Sequence, residues 1–213
     1  MKKIITMSVV LFASTVVAQR PDISECNRET PGWGRNLGEV RFLTNKTWIV
    51  GSLEWSDVVI AENCQKETFN GGTVDPRNFN ADCRKNSDGL GDLFSWCAVG
   101  RYVRQLCPDN WRVPTTQDFM YLDEFFGGNG ERRRVDRTTL AQYTETWGGS
   151  YGGICRPDGR LEDQNNGAFY WAISAGRTGT GSRLNFFTNG YISPQGWVSK
   201  NFGHTVRCVR NAE

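Results

Sequence analysis

Leu106-Cys107-Pro108-Asp109-Asn110-Trp111-Arg112-Val113-Pro114-Thr115 carries a cysteine and runs straight into the clearest helix of the chain. That helix is expected over Thr116 to Phe126. Thr115 is a natural N-cap with Asp118 at N3, Phe119, Leu122 and Phe126 make one apolar face, and Gly127-Gly128 ends it. A partner stretch near the C-terminus, Gly203-His204-Thr205-Val206-Arg207-Cys208-Val209-Arg210, reads as a closing strand with a second cysteine. Joining Cys107 to Cys208 would close a loop of about 100 residues, worth roughly 4–5 kcal/mol through restriction of the unfolded chain.

From the first stretch to the second the pattern changes from helix to strand, and one more short helix precedes both. Leu93, Trp96, Val99, Tyr102 and Val103 recur at three to four residues and predict a short helix over 93–103. After the helix come short apolar bursts separated by Gly, Asn, Ser and Pro: Ala168–Ser174, Leu184–Phe187, Tyr191–Ser193 and Thr205–Val209. Upstream, Glu39–Leu43 and Thr47–Val50 read as two short strands around the polar turn Thr44-Asn45-Lys46, and residues 62–92 as loop, with turn signals at Gly71-Gly72, Asp75-Pro76 and Asp88-Gly89. Helices early and strands late predict an α+β domain over 38–213.

Residues 1–18 read as a secretory signal. Lys2 and Lys3 precede an apolar run ending at Val16-Val17-Ala18, too short for a membrane span. Residues 19–37, with Pro21, Pro31, Gly32 and Gly34, read as an extended lead-in. Cleavage would remove two of the 25 basic residues and none of the 23 acidic ones, leaving a neutral mature chain. That balance argues against nucleic acid or an anionic membrane as the main partner.

An exported chain with seven cysteines is expected to form disulfides and to leave one thiol over. Spacing does not choose among roughly a hundred arrangements. The expected order is Cys107–Cys208, then Cys64–Cys83 across a polar excursion, then Cys97–Cys155. Cys26 is left as a free or intermolecular thiol; a buried, inert thiol is the alternative. No CxxC or His-rich grouping suggests a metal, and no cofactor is implied.

In this order the pieces resemble the Fibrobacter succinogenes major paralogous domain family, exported bacterial domains common in the Bacteroidetes. Lys46–Leu53 resembles its early Trp-containing strand segment and Gly91–Trp96 its G-x-L-Y-x-W element. Cys107–Thr115 resembles C-P-x-G-W-x-V-P-T, Tyr170–Ser174 resembles Y-W-S-S-T, and Val206–Val209 the closing strand. The likeness covers about 38–210. Asn110 stands where glycine is usual, Ala172 and Ile173 replace small polar residues, and the segment around Cys64 and Cys83 looks like an addition of this chain. The resemblance implies a C-type-lectin-like fold with small twisted antiparallel sheets, two helices and long loops. In that fold Trp48, Trp96, Trp111 and Trp171 would be core.

Trp147, Tyr151 and Trp197 lie among Gly-rich segments and are the candidates for exposed rings. The stretch Trp147–Gly167, with Asp158, Glu162, Asp163, Gln164, Asn165 and Asn166, is the candidate binding loop. The sugar-binding lectin motifs E-P-N, Q-P-D and W-N-D are absent, so these residues are expected to form turns rather than a calcium site. The basic run Arg132-Arg133-Arg134 with Arg137 reads as a solvated loop, with an anion-binding patch as the alternative. The formylglycine-generating oxidases resemble the implied fold distantly, but no cysteine pair here matches their site. The single histidine, His204, lies inside the expected closing strand, where a structural role is expected rather than a Ser–His–Asp arrangement. The expected function is therefore a non-catalytic binding or structural protein of the envelope or surface, a subunit of an outer-membrane or surface assembly. Its partners would be proteins, or glycan in the adhesin alternative.

Overall fold

Gly51, with φ +60°, and Ser52 turn the chain between two strands, and the second of these is the spine of the first sheet. The computed structural model describes residues 21–26, 36–71, 79–87 and 89–213. The signal expected at 1–18, much of the lead-in, and the turn signals at Gly72, Asp75-Pro76 and Asp88 lie outside the described residues. The elements follow in order: β1 (Val40–Phe42), β2 (Thr47–Val50), β3 (Leu53–Ala61), β4 (Cys83–Arg84), β5 (Leu93–Ser95), α1 (Trp96–Arg101), α2 (Val103–Leu106) and α3 (Thr116–Phe125). Next come β6 (Arg133–Arg134), α4 (Arg137–Ala141) running into a π-helical turn (Gln142–Thr146), β7 (Gly152–Cys155), β8 (Leu161–Gln164), β9 (Gly167–Ala175), β10 (Thr180–Phe187), β11 (Tyr191–Ser199), β12 (Gly203–His204) and β13 (Arg207–Asn211). All named strand pairs are antiparallel.

The strands form three sheets. In the first, β1 and β2 do not form a hairpin; they line the same edge of β3, with Val40 opposite Ala61 and Val50 opposite Leu53, while β13 takes the other edge. The strand β3 is buried almost throughout, so it shows no period-two alternation, and Ser56-Asp57 interrupts its apolar run. Those polar groups are satisfied locally: Ser56 Oγ donates to Asp57 O and accepts from Cys208 N, and Thr44 Oγ1 donates to Asp57 Oδ2. The second sheet runs β4-β5-β12-β7-β8 and the third β6-β11-β10-β9. Two main clusters fill the interior. One holds Phe94, Trp96, Trp171 and Val206, the other Trp55, Phe119, Trp147, Tyr170 and Phe186.

The helix α3 forms as expected, with the full capping box: Thr115 Oγ1 accepts from Asp118 N, and the Asp118 carboxylate accepts from Thr115 N at 2.7 Å. Arg112 adds two bonds to the same carboxylate, at 2.6 and 2.7 Å, fixing the approach to the helix. The expected helix over 93–103 is different. Leu93–Ser95 are extended because they are paired on both sides, Phe94 with Cys83 and with His204; Ser95 then caps α1 by accepting from Ala98 N.

Three disulfides staple the domain: Cys107–Cys208, Cys64–Cys83 and Cys26–Cys97. The first two match expectation. The pairing of Cys97 with Cys155 and the free Cys26 are corrected. Residues 21–26 lie against α1, where a Cβ on Gly100 would meet Ile23 Cγ2 at 2.5 Å, and this brings Cys26 to Cys97. Glu25 ties the same segment down, accepting from Lys200 Nζ at 2.7 Å and Gly179 N at 2.9 Å. Cys155 is instead buried in β7 opposite Gly203, whose missing side chain leaves room for Cys155, Leu93 and Phe69 to meet.

Candidate functional site

The hairpin of β9 and β10 turns at Gly176–Gly179, where Gly176 N donates to Thr180 O and Thr180 N to Arg177 O. Trp197, on β11 opposite Ser182, lays its ring over this turn. A Cβ on Gly176 would lie 2.1 Å from Trp197 Cε3, so the glycine is what allows the indole to rest on the main chain. The other face of the ring is open, and Trp197 is 50% exposed. Together with Ala175, Gly176, Arg177 and Thr180 it lines an open groove of about 530 Å³. A rigid aromatic platform beside an exposed guanidinium is the composition that dominates binding energy at recognition surfaces.

The other expected site residues lie elsewhere. Trp147 is fully buried, edge-on to Trp55 at 5.4 Å and Tyr170 at 4.9 Å, which corrects its reading as an exposed ring. The glycines after it mark a tight turn: Gly148 has φ +72°, and a Cβ there would strike the Trp48 ring. Tyr151 is half-buried against Phe186, and burial raises its phenol.

The expected binding loop Trp147–Gly167 contains the hairpin of β7 and β8. Its polar groups bond one another: Asp158 accepts from Arg160 N and Nε, Asn166 Nδ2 donates to Asp163 Oδ1, and Gln164 Nε2 donates to Gly152 O and Asn86 Oδ1. Asp163 and Asn165 take left-handed backbone, with φ of 56° and 62°. These two and Asn166 come together at the turn into β9, where Asn166 also accepts from Thr188 Oγ1. Trp197 is on the hairpin of the third sheet and takes no part in this turn. Among the described residues no group of three His, Cys, Asp or Glu side chains could hold a metal.

Two cations, Arg207 in the interior and half-buried Arg183 at its edge, are held by the core. Arg207 is fully buried, its Nε donating to Ser56 O at 2.7 Å and its Nη1 to Trp147 O at 2.6 Å, between the rings of Trp48 and Trp147. Burial lowers its pKa to about 10, so it stays charged at neutral pH. Arg183 Nη1 lies 3.1 Å from Nε2 of fully buried His204. Burial, then the Arg183 charge, pulls His204 well below the usual imidazole range, so the ring is neutral and accepts through Nε2. Burial pushes the Cys155 thiol up to about 12, leaving it protonated.

The family model described as the Fibrobacter succinogenes major domain matches residues 50–210. The chain belongs to this family. No curated protein and no solved structure matches the chain. The matched Fibrobacter succinogenes major domain runs from the last residue of β2 into β13. It contains Cys107–Cys208 and the Trp197 groove, whereas Cys26 and the docked segment 21–26 lie before it. The Cys64–Cys83 staple falls inside the matched span. Sequence reasoning gave Arg183 and Tyr191 no functional role and weighed the arginine run 132–134 as a solvated loop against an anion-binding patch; Arg132 and Arg134 are the outward members of that run. Their signal was the alternation inside Arg132-Arg133-Arg134, which becomes readable only once β6 is known to be a strand.

Proposed function

We propose that this domain is an exported, non-catalytic binding module with a C-type-lectin-like fold, a subunit of an outer-membrane or surface assembly that recognises a protein through the Trp197 groove. The observation that carries the reading is the half-exposed Trp197 ring seated on Gly176 beside Arg177. Three disulfides and the absence, among the described residues, of a helix able to cross a membrane accord with export. The lectin-like assignment is what the family resemblance implies; small antiparallel sheets, short helices and a C-terminal strand stapled by Cys107–Cys208 accord with it. The formylglycine-generating alternative finds little support: it needs a poised thiolate pair, whereas six cysteines are bridged and Cys155 is a buried, protonated thiol. Neutral His204, packed between Phe169 and Trp171, suits a structural role.

A glycan-binding adhesin is the second reading, favoured by the flat, open indole face, since sugar rings stack on such platforms. Trp197→Ala, with thermal unfolding unchanged, is expected to lose the envelope protein that co-purifies and cross-links with the wild-type chain. If it retains that protein, the groove reading fails. If a saccharide is retained by the wild type and lost by the variant, the adhesin reading replaces it.

A further inference from the structure

The short strand β6 divides the run Arg132-Arg133-Arg134 between two faces. Arg133, opposite Ile192, turns inward, with Nη2 2.8 Å from Oδ1 of Asp123, a carboxylate with a fully buried side chain. Arg134 is opposite Tyr191 and therefore shares its face. Arg132, two residues earlier, sets its guanidinium over the Tyr191 ring at 4.9 Å. The rings continue across the sheet, Tyr191 to Phe187 at 5.8 Å and Phe187 to Phe169 at 5.3 Å. Over Phe169, at 5.0 Å, lies the guanidinium of Arg183.

This face holds a local surplus of positive charge. Lys85, Arg112, Arg133, Arg156, Arg160, Lys200 and Arg210 each have a carboxylate partner; among the described residues Arg132, Arg134 and Arg183 have none. The same is true of Arg41, Arg177 and Arg207, but Arg132, Arg134 and Arg183 share one aromatic face. Arg183 is held from below by a neutral imidazole, so its charge is positioned without being compensated. The nearby Asp163 acts on it only at a distance, its Oδ1 accepting from Asn166 Nδ2. In a chain with 25 basic and 23 acidic residues, such a cluster is not a reflection of overall charge. The edge of β6 away from β11 has no strand partner among the described residues, and it borders the arginines.

We propose that Arg132, Arg134 and Arg183, with Phe187 and Tyr191, form a docking surface for an acidic, extended peptide segment of a partner protein. Carboxylates meet the guanidinium forks, which suit planar bidentate pairing. Apolar side chains of the segment rest on Phe187 and Tyr191, and its main chain can use the free β6 edge, an option open to a peptide and not to a saccharide. The surface is separate from the Trp197 groove, so its failure leaves that reading standing.

The test titrates the whole mature chain with three probes: a synthetic peptide alternating Glu and Leu, the same peptide with Gln for Glu, and a uronic-acid oligosaccharide. The Glu peptide is expected to bind, more weakly as salt is raised. The exposed-site variant R132Q/R134Q should weaken it about tenfold. Arg183→Lys, which keeps the charge and loses the fork, should weaken it further, and Arg41→Gln, exposed on β1 of the first sheet, should leave it unchanged. Equal binding of the Glu and Gln peptides, or wild-type affinity in R132Q/R134Q, would overturn the proposal. So would binding of the oligosaccharide in place of the peptide, or no binding of any probe at millimolar concentration.

Discussion

Trp147 and Trp197 both sit beside glycines, and they end in opposite environments. In each case glycine lets an indole approach main chain. Gly149 leaves room beside the Trp147 ring, and Gly176 leaves room beneath Trp197. What differs is the cover on the remaining surface. Trp147 is enclosed by Trp55, Phe119 and Tyr170 with the Arg207 guanidinium 4.3 Å above it, whereas Trp197 faces an open groove. A flanking glycine therefore does not tell which backbone a tryptophan ring approaches. The room comes from Gly149, two residues on, for Trp147 and from Gly176, on another strand's turn, for Trp197, and exposure depends on elements distant in sequence.

Replacing each residue tests the contrast. Trp147→Ala should cost about 3–5 kcal/mol in a denaturant titration, because a filled core site is emptied; a cost below about 1 kcal/mol would place Trp147 outside the core. Removing Cys26–Cys97 by the double Ser variant should cost about 2–4 kcal/mol. Thiol titration of the native chain should find no accessible thiol, and of the denatured chain one, Cys155. A native thiol at Cys26 would restore its reading as a free or intermolecular thiol.

The pH dependence separates stability from the groove. Burial raises Asp82 from the usual 3.8 to about 7, against the opposing pull of the Asn70 N–H. The native state thus holds this proton more tightly than the unfolded chain. Its stabilising contribution is full below pH 3.8 and is lost as pH rises toward 7, by about 2–4 kcal/mol. Asp82→Asn should remove that component from the wild-type stability profile without altering partner binding at Trp197; superimposable profiles would show that Asp82 ionises normally. The smallest effect on stability belongs to Trp197→Ala, about 0.5–1 kcal/mol. In a Trp33→Phe background, that variant should also remove the indole fluorescence most readily quenched by acrylamide, Trp197 being the most exposed tryptophan among the described residues, and unchanged quenching would mean the ring is covered.

Local signals were legible where the chemistry is local. Thr115 and Asp118 announce α3 because both ends of the capping box lie within one turn. The apolar bursts at 168–174 and 184–187 lie within β9 and β10. β3 escaped notice because burial on both faces erases alternation, and Leu93–Ser95 were drawn into a sheet by β4 and β12 despite a helical spacing. Cys26 could not be assigned from spacing, since its partner depends on where residues 21–26 dock.

From its sequence alone the chain was an α+β domain with family-specific elements, a capped helix and the staples Cys107–Cys208 and Cys64–Cys83. Those features depend on short-range geometry or on motifs that survive without knowledge of packing. Tertiary structure alone decided that Trp197 and not Trp147 is open, that Cys26 meets Cys97, and that Arg132 and Arg134 face outward with Tyr191 while Arg133 turns in to Asp123. The physical reason is common to all three. Which side of a strand or ring is covered is set by segments far away in sequence, and burial fixes both the exposure and the charge environment of each side chain.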